Sequence, residues 1–289
     1  MSFTSTNDVI VDLKEVEFTY SGCKVPSLKR VNLKIRRKEI TLLTGPSGCG
    51  KTTLCRVLTG LIPNFYPGDL KGEISIFGMD PRRNSIKDIL RNVGMVLQNP
   101  ETQIVMTTVF REIAFGLENQ RVPPKIIRNR VLDMLKTLRM EDLLHENVYK
   151  LSFGQKQKVA IASILILRPK LLILDEPTSY LSPLATLELI KLLRELHEKE
   201  GVTILIVEHK FDLLAEHVTR IIVMKNGTIV SDGTPKEVLS KDLSKLYGVN
   251  MPSLAKFYHK LRKRGYKMES VPLTVREATE ILRKEMREQ

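Results

Sequence analysis

The sequence predicts an α/β fold built on a largely parallel, buried sheet, and three observations point to it. Helical and strand patterns alternate from residue 152 onward: Ser152 to about Leu167 leads into Leu171–Leu174, Pro183 to about Lys199 into Val202–Val207, and a short helix, Phe211 to His217, into Ile221–Met224. These strands read as short apolar runs, as strands covered on both faces do. Finally, the run Ile40-Thr41-Leu42-Leu43 is followed by GPSGCGKTT (45–53) and then by the apolar stretch Leu54–Leu61, the order strand, glycine-rich loop, helix.

The elements follow in order. Residues 9–20 alternate in part (Val9, Val11, Leu13, then Val16, Phe18, Tyr20), and Val31, Leu33 and Ile35 alternate cleanly, so both segments are half-buried strands. Gly72–Gly78 is a short strand between glycines, and Val93–Leu97 a more fully buried one. Pro123-Pro124 opens a helix with Ile126, Ile127, Val131, Met134, Leu135 and Leu138 at helix-face spacing. Asn226-Gly227 is the tight turn of a hairpin that brings Thr228–Val230 back along Ile221–Met224. Near 245 the composition shifts to a basic, tyrosine-bearing tail with two helical patterns. The expected division is a main domain, 1–245, and a small C-terminal domain, 246–289.

Composition narrows the class. A chain of 289 residues can bury one large core or two smaller ones, and its 42% hydrophobic and 27% charged residues are those of a soluble globular protein. No stretch reaches the roughly 18 apolar residues of a membrane span; the nearest, Val159–Leu174, is broken by Arg168-Pro169-Lys170. No basic region followed by an apolar block is seen at the N-terminus, so no secretory signal is read and a cytoplasmic location is expected. Cys23, Cys49 and Cys55 are an odd set without metal-ligand spacing, expected to be reduced. The net charge of +13 would suit nucleic acid, an anionic membrane surface or merely a lysine-rich exterior. It comes without an aromatic RNA-binding motif, zinc-finger spacing or long basic run, and no nucleic-acid partner is expected.

Three motifs carry chemistry. Gly45, Gly50, Lys51 and Thr52 fit G-x-x-x-x-G-K-[ST], and the stretch Gly45, Pro46, Ser47, Gly48, Cys49, Gly50, Lys51, Thr52 and Thr53 is read as a phosphate-binding loop. Small side chains let backbone N–H groups close around an anion at the positive end of the next helix. Lys51 would reach the β- and γ-phosphates, and the Thr52 hydroxyl would sit on Mg²⁺. In LLILDEPTS (171–179) an apolar strand ends in Asp175 and Glu176. Charges there need a partner, which Mg²⁺ provides for Asp175; Glu176 would polarise the attacking water. In LSFGQKQKVAIAS (151–163) Ser152 and Gly154 precede a helix, offering a hydroxyl, backbone N–H groups and a second helix N-terminus. One γ-phosphate hardly needs two such sites from one chain, which suggests a nucleotide held by another subunit.

With these motifs in this order, residues 9 to about 240 resemble an ATP-binding-cassette (ABC) ATPase. The resemblance implies a P-loop NTPase fold: a parallel core sheet, an antiparallel β subdomain, a helical subdomain and a small C-terminal α/β extension. It also implies two ATP molecules, with Mg²⁺, sandwiched between two subunits. Tyr20 matches the aromatic that stacks on adenine, and Gln98, in VLQNP, the glutamine that touches Mg²⁺ and the attacking water. Ser152, Gly154 and Gln155 match the signature that contacts the partner's ATP, and His209, in IVEHK, the switch histidine that holds the γ-phosphate.

Residues 58–80, 98–119 and the tail 252–284 are similar to the ATPase subunits of energy-coupling-factor (ECF) transporters, which import vitamins or transition-metal ions. That likeness implies a second ATPase subunit, identical or related, a transmembrane coupling subunit docked near the glutamine loop, and a substrate-binding membrane subunit. The chain would lie on the cytoplasmic face of the cell membrane. An exporter-type ATPase and a soluble ABC protein of repair or translation are the rival readings. Repair members carry a long coiled coil between the motifs that here lie at 45–53 and 151–163, and translation members usually fuse two cassettes. Two positions depart from the pattern: Phe153 stands where glycine is usual, and Ser182, in SYLSP, where the family carries the aspartate that links the two sites. Residues 98–119 join a polar loop, Gln98–Thr102, to an apolar segment, Val109, Ile113, Ala114 and Leu117, which would receive a partner's helix or pack inside the helical subdomain.

Overall fold

In the computed structural model, which describes residues 8–209, 211–266 and 268–288, the first segment is one long strand, β1 (Val9–Tyr20). Its alternation breaks at a bulge: Glu15 takes φ 50° and the pairing register shifts between Leu13 and Val16, which returns Val16 to the buried face. The chain continues through β2 (Leu28–Arg36), β3 (Ile40–Thr44), α1 (Lys51–Leu58), α2 (Leu61–Asn64) and β4 (Gly68–Ile76). Next come α3 (Ile86–Leu90), β5 (Val93–Val96), α4 (Val109–Asn119), α5 (Pro124–Leu138), α6 (Phe153–Leu165) and β6 (Leu171–Asp175). It ends with α7 (Pro183–Glu200), β7 (Thr203–Val207), β8 (Arg220–Lys225), β9 (Thr228–Gly233), α8 (Pro235–Leu239), α9 (Leu243–Tyr247), α10 (Ser253–Lys263) and α11 (Val275–Glu288).

The strands form a small antiparallel sheet, β2-β1-β4, and a larger sheet in the order β5-β6-β7-β3-β8-β9, parallel except at β9. Both faces of the large sheet are covered. Leu42, Leu172, Leu174, Ile204, Ile206 and Val223 enter one core with Ile113, Val131, Ala160 and Leu193. Their neighbours Leu43, Leu171, Ile173, Leu205 and Val207 enter the other with Leu54, Leu58 and the antiparallel sheet. A one-residue slip would exchange the two sets, so the register is tightly specified. Each such side chain stabilises by about 1.5–3 kcal/mol on burial, against about 1 kcal/mol for each glycine ordered. Packing of the sheet therefore fixes where the costly loop falls.

The register also places the site. Leu43 of β3 and Asp175 of β6 both pair with Val207 of β7. The loop after β3, the carboxylates at the end of β6 and Glu208-His209 after β7 thus meet at one edge, the carboxyl ends of the strands, where ligands bind in open α/β sheets.

Two expectations are corrected. Phe211–His217 is a succession of turns, not a helix: one α-spaced bond, Ala215 N to Phe211 O, is not continued, and Leu214 N to Phe211 O and His217 N to Leu214 O are one residue short of α spacing. Seven residues give little return on helix nucleation, and the Asp212 carboxylate is spent on Ser253 N and Oγ at 2.7 and 2.8 Å. The C-terminal extension, expected to be α/β, is helical, with no strand among its described residues. Between α10 and α11, Met268 and Val271 are buried singly in the first core, and Leu273 N donates to Glu277 Oε2 of α11 rather than to a ladder.

Candidate functional site

The loop at 45–53, read from the sequence as a phosphate loop, folds as its glycines demand. Gly45 (φ 151°) and Gly50 (φ 108°) have no room for a side chain, since a Cβ would lie 2.1 Å from Met224 O and 2.6 Å from Ser27 O. Gly50 is also the N-cap of α1 and contributes no side-chain cap. No capping side chain therefore covers the first N–H groups of α1, which remain available to an anion. Lys51, 5% exposed, turns its ammonium onto the loop: Nζ donates to Gly45 O at 3.0 Å and to Pro46 O at 3.1 Å. Burial pushes the Cys49 thiol up, more than the nearby Lys51 charge draws it down, so it stays a protonated filler. All three cysteines are free.

Tyr20 reaches the same helix. Its hydroxyl lies 3.2 Å from Thr53 Oγ1 and accepts from Arg56 Nη1 at 2.9 Å. Thr52 lies beside the Asp175 carboxyl, which is 7% exposed and raised above the ordinary aspartate range by burial, against the opposing pull of Thr52. Among the described residues no ion pair forms at Asp175, and no group of three or more His, Cys, Asp or Glu could hold a metal unaided. The hydroxyl and carboxylate suit a hard cation shared with phosphate oxygens, which is how Mg²⁺ is usually bound.

This carries a stability prediction. The folded-state pKa of Asp175 lies above its unfolded value, so the ionised carboxylate costs stability at neutral pH. That cost disappears as pH falls through the folded pKa. Asp175→Asn should therefore raise the nucleotide-free melting temperature, by roughly 2–4 °C if the gain is about 1 kcal/mol. It should also abolish the extra stabilisation that Mg²⁺ adds to ATP. Melting curves with ATP, with and without Mg²⁺, check both.

Beside Asp175, Glu176 takes φ 49°, an uncommon left-handed conformation for a non-glycine residue. Its carboxylate is the centre of the site: Gln98 Nε2 donates to Oε2 at 2.8 Å, Ser179 Oγ to Oε2 at 3.1 Å, and His209 Nε2 stands 2.9 Å from Oε1. Residues far apart in sequence thus converge on one group. A cavity of about 600 Å³ lies at the opposite end of the strands, among Arg37, Lys38, Arg168, Lys170 and Thr203, and none of the residues 45–53 lines it.

The 151–163 motif stands apart. Among the described residues, no hydrogen bond or ion pair joins Ser152, Gly154 or Gln155 to the loop at 45–53. Ser152 caps α6 in a capping box: Oγ accepts from Gln155 N at 3.3 Å and Gln155 Oε1 from Ser152 N at 2.9 Å. The cap uses acceptors only, so the hydroxyl and the Gln155 amide can still donate. Gly154 is not demanded by the chain itself, because a Cβ would meet only Leu181, at 3.8 Å. Phe153 packs on Tyr180, ring centroids 5.0 Å apart.

The apolar segment before it is core. Val109, Ile113, Ala114 and Leu117 are fully buried in the first core with residues of α5 and α6, so that face does not receive a partner. Sequence reasoning passed over Ser179 and Glu208. The signal for Glu208 was present: IVEH, like ILDE, ends an apolar strand in a carboxylate.

The chain matches the family model described as ABC transporter over residues 28–179. It is 39% identical to a Pyrococcus horikoshii protein named as an ABC transporter ATP-binding protein, over 95% of this chain and 96% of that one. Among solved structures, cbiO1 of Clostridium perfringens, part of the ABC transporter complex cbiONQ, superposes with a TM-score of 0.75 at 33% identity, covering 88% of this chain and 99% of that one. The dimeric ATP-binding cassette MJ0796, in a post-hydrolysis state bound to ADP and Pi, superposes with a TM-score of 0.69 at 26% identity, covering 78% and 99%.

Proposed function

The chain belongs to the ABC transporter family as an ATP-hydrolysing, ATP-binding subunit, and from that premise we propose that it powers an importer of the energy-coupling-factor type for a vitamin or transition-metal ion. The observation that carries the ATPase site is the convergence of Gln98, Ser179 and His209 on Glu176, beside the phosphate loop. Support for the importer type is the likeness to cbiO1 over 88% of the chain, beside the ECF-like segments 58–80 and 98–119 of the sequence. No helix among the described residues is long and apolar enough to cross a membrane. In this reading membrane subunits supply the path, and the chain docks on them from the cytoplasmic face.

The residues divide the work as follows. The N–H groups of 45–53 and the Lys51 ammonium hold the phosphates, while Tyr20 supports the adenine. Thr52, Asp175 and Gln98 would hold Mg²⁺, which would supply positive charge against the phosphates. Glu176 accepts a proton from the attacking water, and His209 and Gln98 fix its carboxylate and the γ-phosphate's surroundings. Ser152, Gly154 and Gln155 close on the ATP of a second ATPase subunit, identical or related.

Affinity capture from detergent-solubilised membranes tests the importer reading. A coupling subunit and a small substrate-binding membrane protein should be recovered. Capture of a transmembrane exporter domain, or of no membrane protein, would overturn it.

Ser182 sets a second expectation. Its Oγ caps α7, accepting from Ala185 N at 3.3 Å. Aspartate caps a helix equally well, so Ser182→Asp should fold normally. A carboxylate there would add a charge-assisted bond across the subunit interface, about twice as strong as the neutral one. Turnover of the chain without a related partner should rise. Equal steady-state rates at equal dimer population would show that Ser182 is a neutral replacement.

A further inference from the structure

Glu208 is buried, 2% exposed, and among the described residues it forms no ion pair. Burial pushes its carboxyl above the ordinary glutamate range. A buried carboxylate without a cation is costly, and a neutral residue of the same volume would usually stabilise the fold. Its bonds suggest why it is there. Oε1 accepts from Thr178 N at 2.8 Å and from Thr178 Oγ1 at 2.6 Å, and the next residue in the chain is His209.

These bonds bracket the centre of the site. Thr178 lies within the turn that begins at Glu176 and that Ser179 N closes on Glu176 O, and His209 carries the imidazole that meets the Glu176 carboxylate at 2.9 Å. Glu176 itself sits at φ 49°. A residue in that region keeps its conformation only where its surroundings over-determine it, at a cost of about 1–3 kcal/mol. Val207 O holds it from one side, accepting from Glu176 N at 2.9 Å. Glu208 holds the turn from the other. Three consecutive residues at the end of β7 thus grip the turn after β6: a carbonyl on Glu176 N–H, a carboxylate on Thr178 and an imidazole on the Glu176 side chain.

We propose that Glu208 is a positioning residue for hydrolysis, locking the Glu176 turn to His209 so that the Glu176 carboxylate is presented to the attacking water. The inference rests on the assignment of Glu176 made above. Glu208 does not touch nucleotide in this role. Its loss should therefore slow the chemical step and spare ATP binding. A misplacement of about 1 Å at a reacting group can cost on the order of a hundredfold.

The experiment is steady-state ATPase kinetics on the full-length chain and its Glu208→Ala, Glu208→Gln, Thr178→Val and Glu176→Gln variants, with a melting curve for each. Glu208→Ala should lower kcat by roughly 10- to 100-fold with KM for ATP within about twofold of wild type. Glu208→Gln keeps an acceptor at Oε1 and should recover most of the loss. Thr178→Val removes one of the two Thr178 donors and should lower kcat about fivefold, again at constant KM; it carries the test if Glu208→Ala fails to fold. Wild-type kcat in Thr178→Val and Glu208→Ala, a parallel loss of kcat and ATP affinity, or a Gln variant as impaired as the Ala variant would each overturn the proposal. Glu176→Gln separates the two readings. If it hydrolyses ATP at the wild-type rate, both fall; if it is silent while Glu208→Ala is normal, only this one does.

Discussion

Glu176→Gln is expected to bind ATP nearly as well as wild type and to lose at least about a hundredfold in turnover, the low end for removal of a general base. Glutamine keeps the side chain's shape and an acceptor for Gln98 Nε2 or His209, so the turn at 176–178 should persist. What disappears is the negative charge and the basic oxygen. A water molecule beside the γ-phosphate then has no group to take its proton, and the ATP-bound, closed pair of subunits should outlive that of wild type. Phosphate release measures the first effect, and retention of unhydrolysed ATP after rapid gel filtration the second. Retained turnover would remove Glu176 from its role.

Lys51→Ala should show the opposite pattern. The Lys51 ammonium is buried and donates to two loop carbonyls, at 3.0 and 3.1 Å, and among the described residues no carboxylate is paired to it. Phosphate oxygens are better acceptors for that charge than peptide carbonyls, so ATP would draw Nζ off the loop. A hydrogen bond to a charged group is worth about 1.5–3 kcal/mol. Its loss should weaken ATP binding by roughly 10- to 150-fold, and turnover at low ATP should fall with it. Calorimetric titration decides this: unchanged affinity would place Lys51 outside the site. The two substitutions thus separate binding from chemistry within one small region.

How far the sequence discloses this depends on the kind of force involved. Leu171–Leu174 and Thr203–Val207 were legible because burial on both faces leaves unbroken apolar runs, and 45–53 because a phosphate loop needs glycine at fixed spacing. The hairpin at Asn226-Gly227 was legible too, since both residues adopt positive φ, 50° and 85°. The turns at Phe211–His217 were not, because they depend on Asp212 finding Ser253 across 41 positions. The apolar face of α4 left open what covered it, and only tertiary packing shows that it is the protein's own core. Ser152 and Gly154 were legible as an anion site; that Ser152 and Gln155 form a reciprocal cap leaving only their donors free was not. Glu208 was visible in IVEH as a carboxylate ending a buried strand; its meaning lies in Thr178, which no local pattern connects to it.

The central claim is that this chain contributes half of each of two ATP sites, its phosphate loop to one and Ser152, Gly154 and Gln155 to the other. Native mass spectrometry of the detergent-extracted complex, prepared with the Glu176→Gln variant and Mg²⁺-ATP, tests it most directly. The expected mass contains two ATPase subunits, identical or related, two ATP molecules and the attached membrane subunits. A complex with a single ATPase subunit that nonetheless holds ATP would contradict the account.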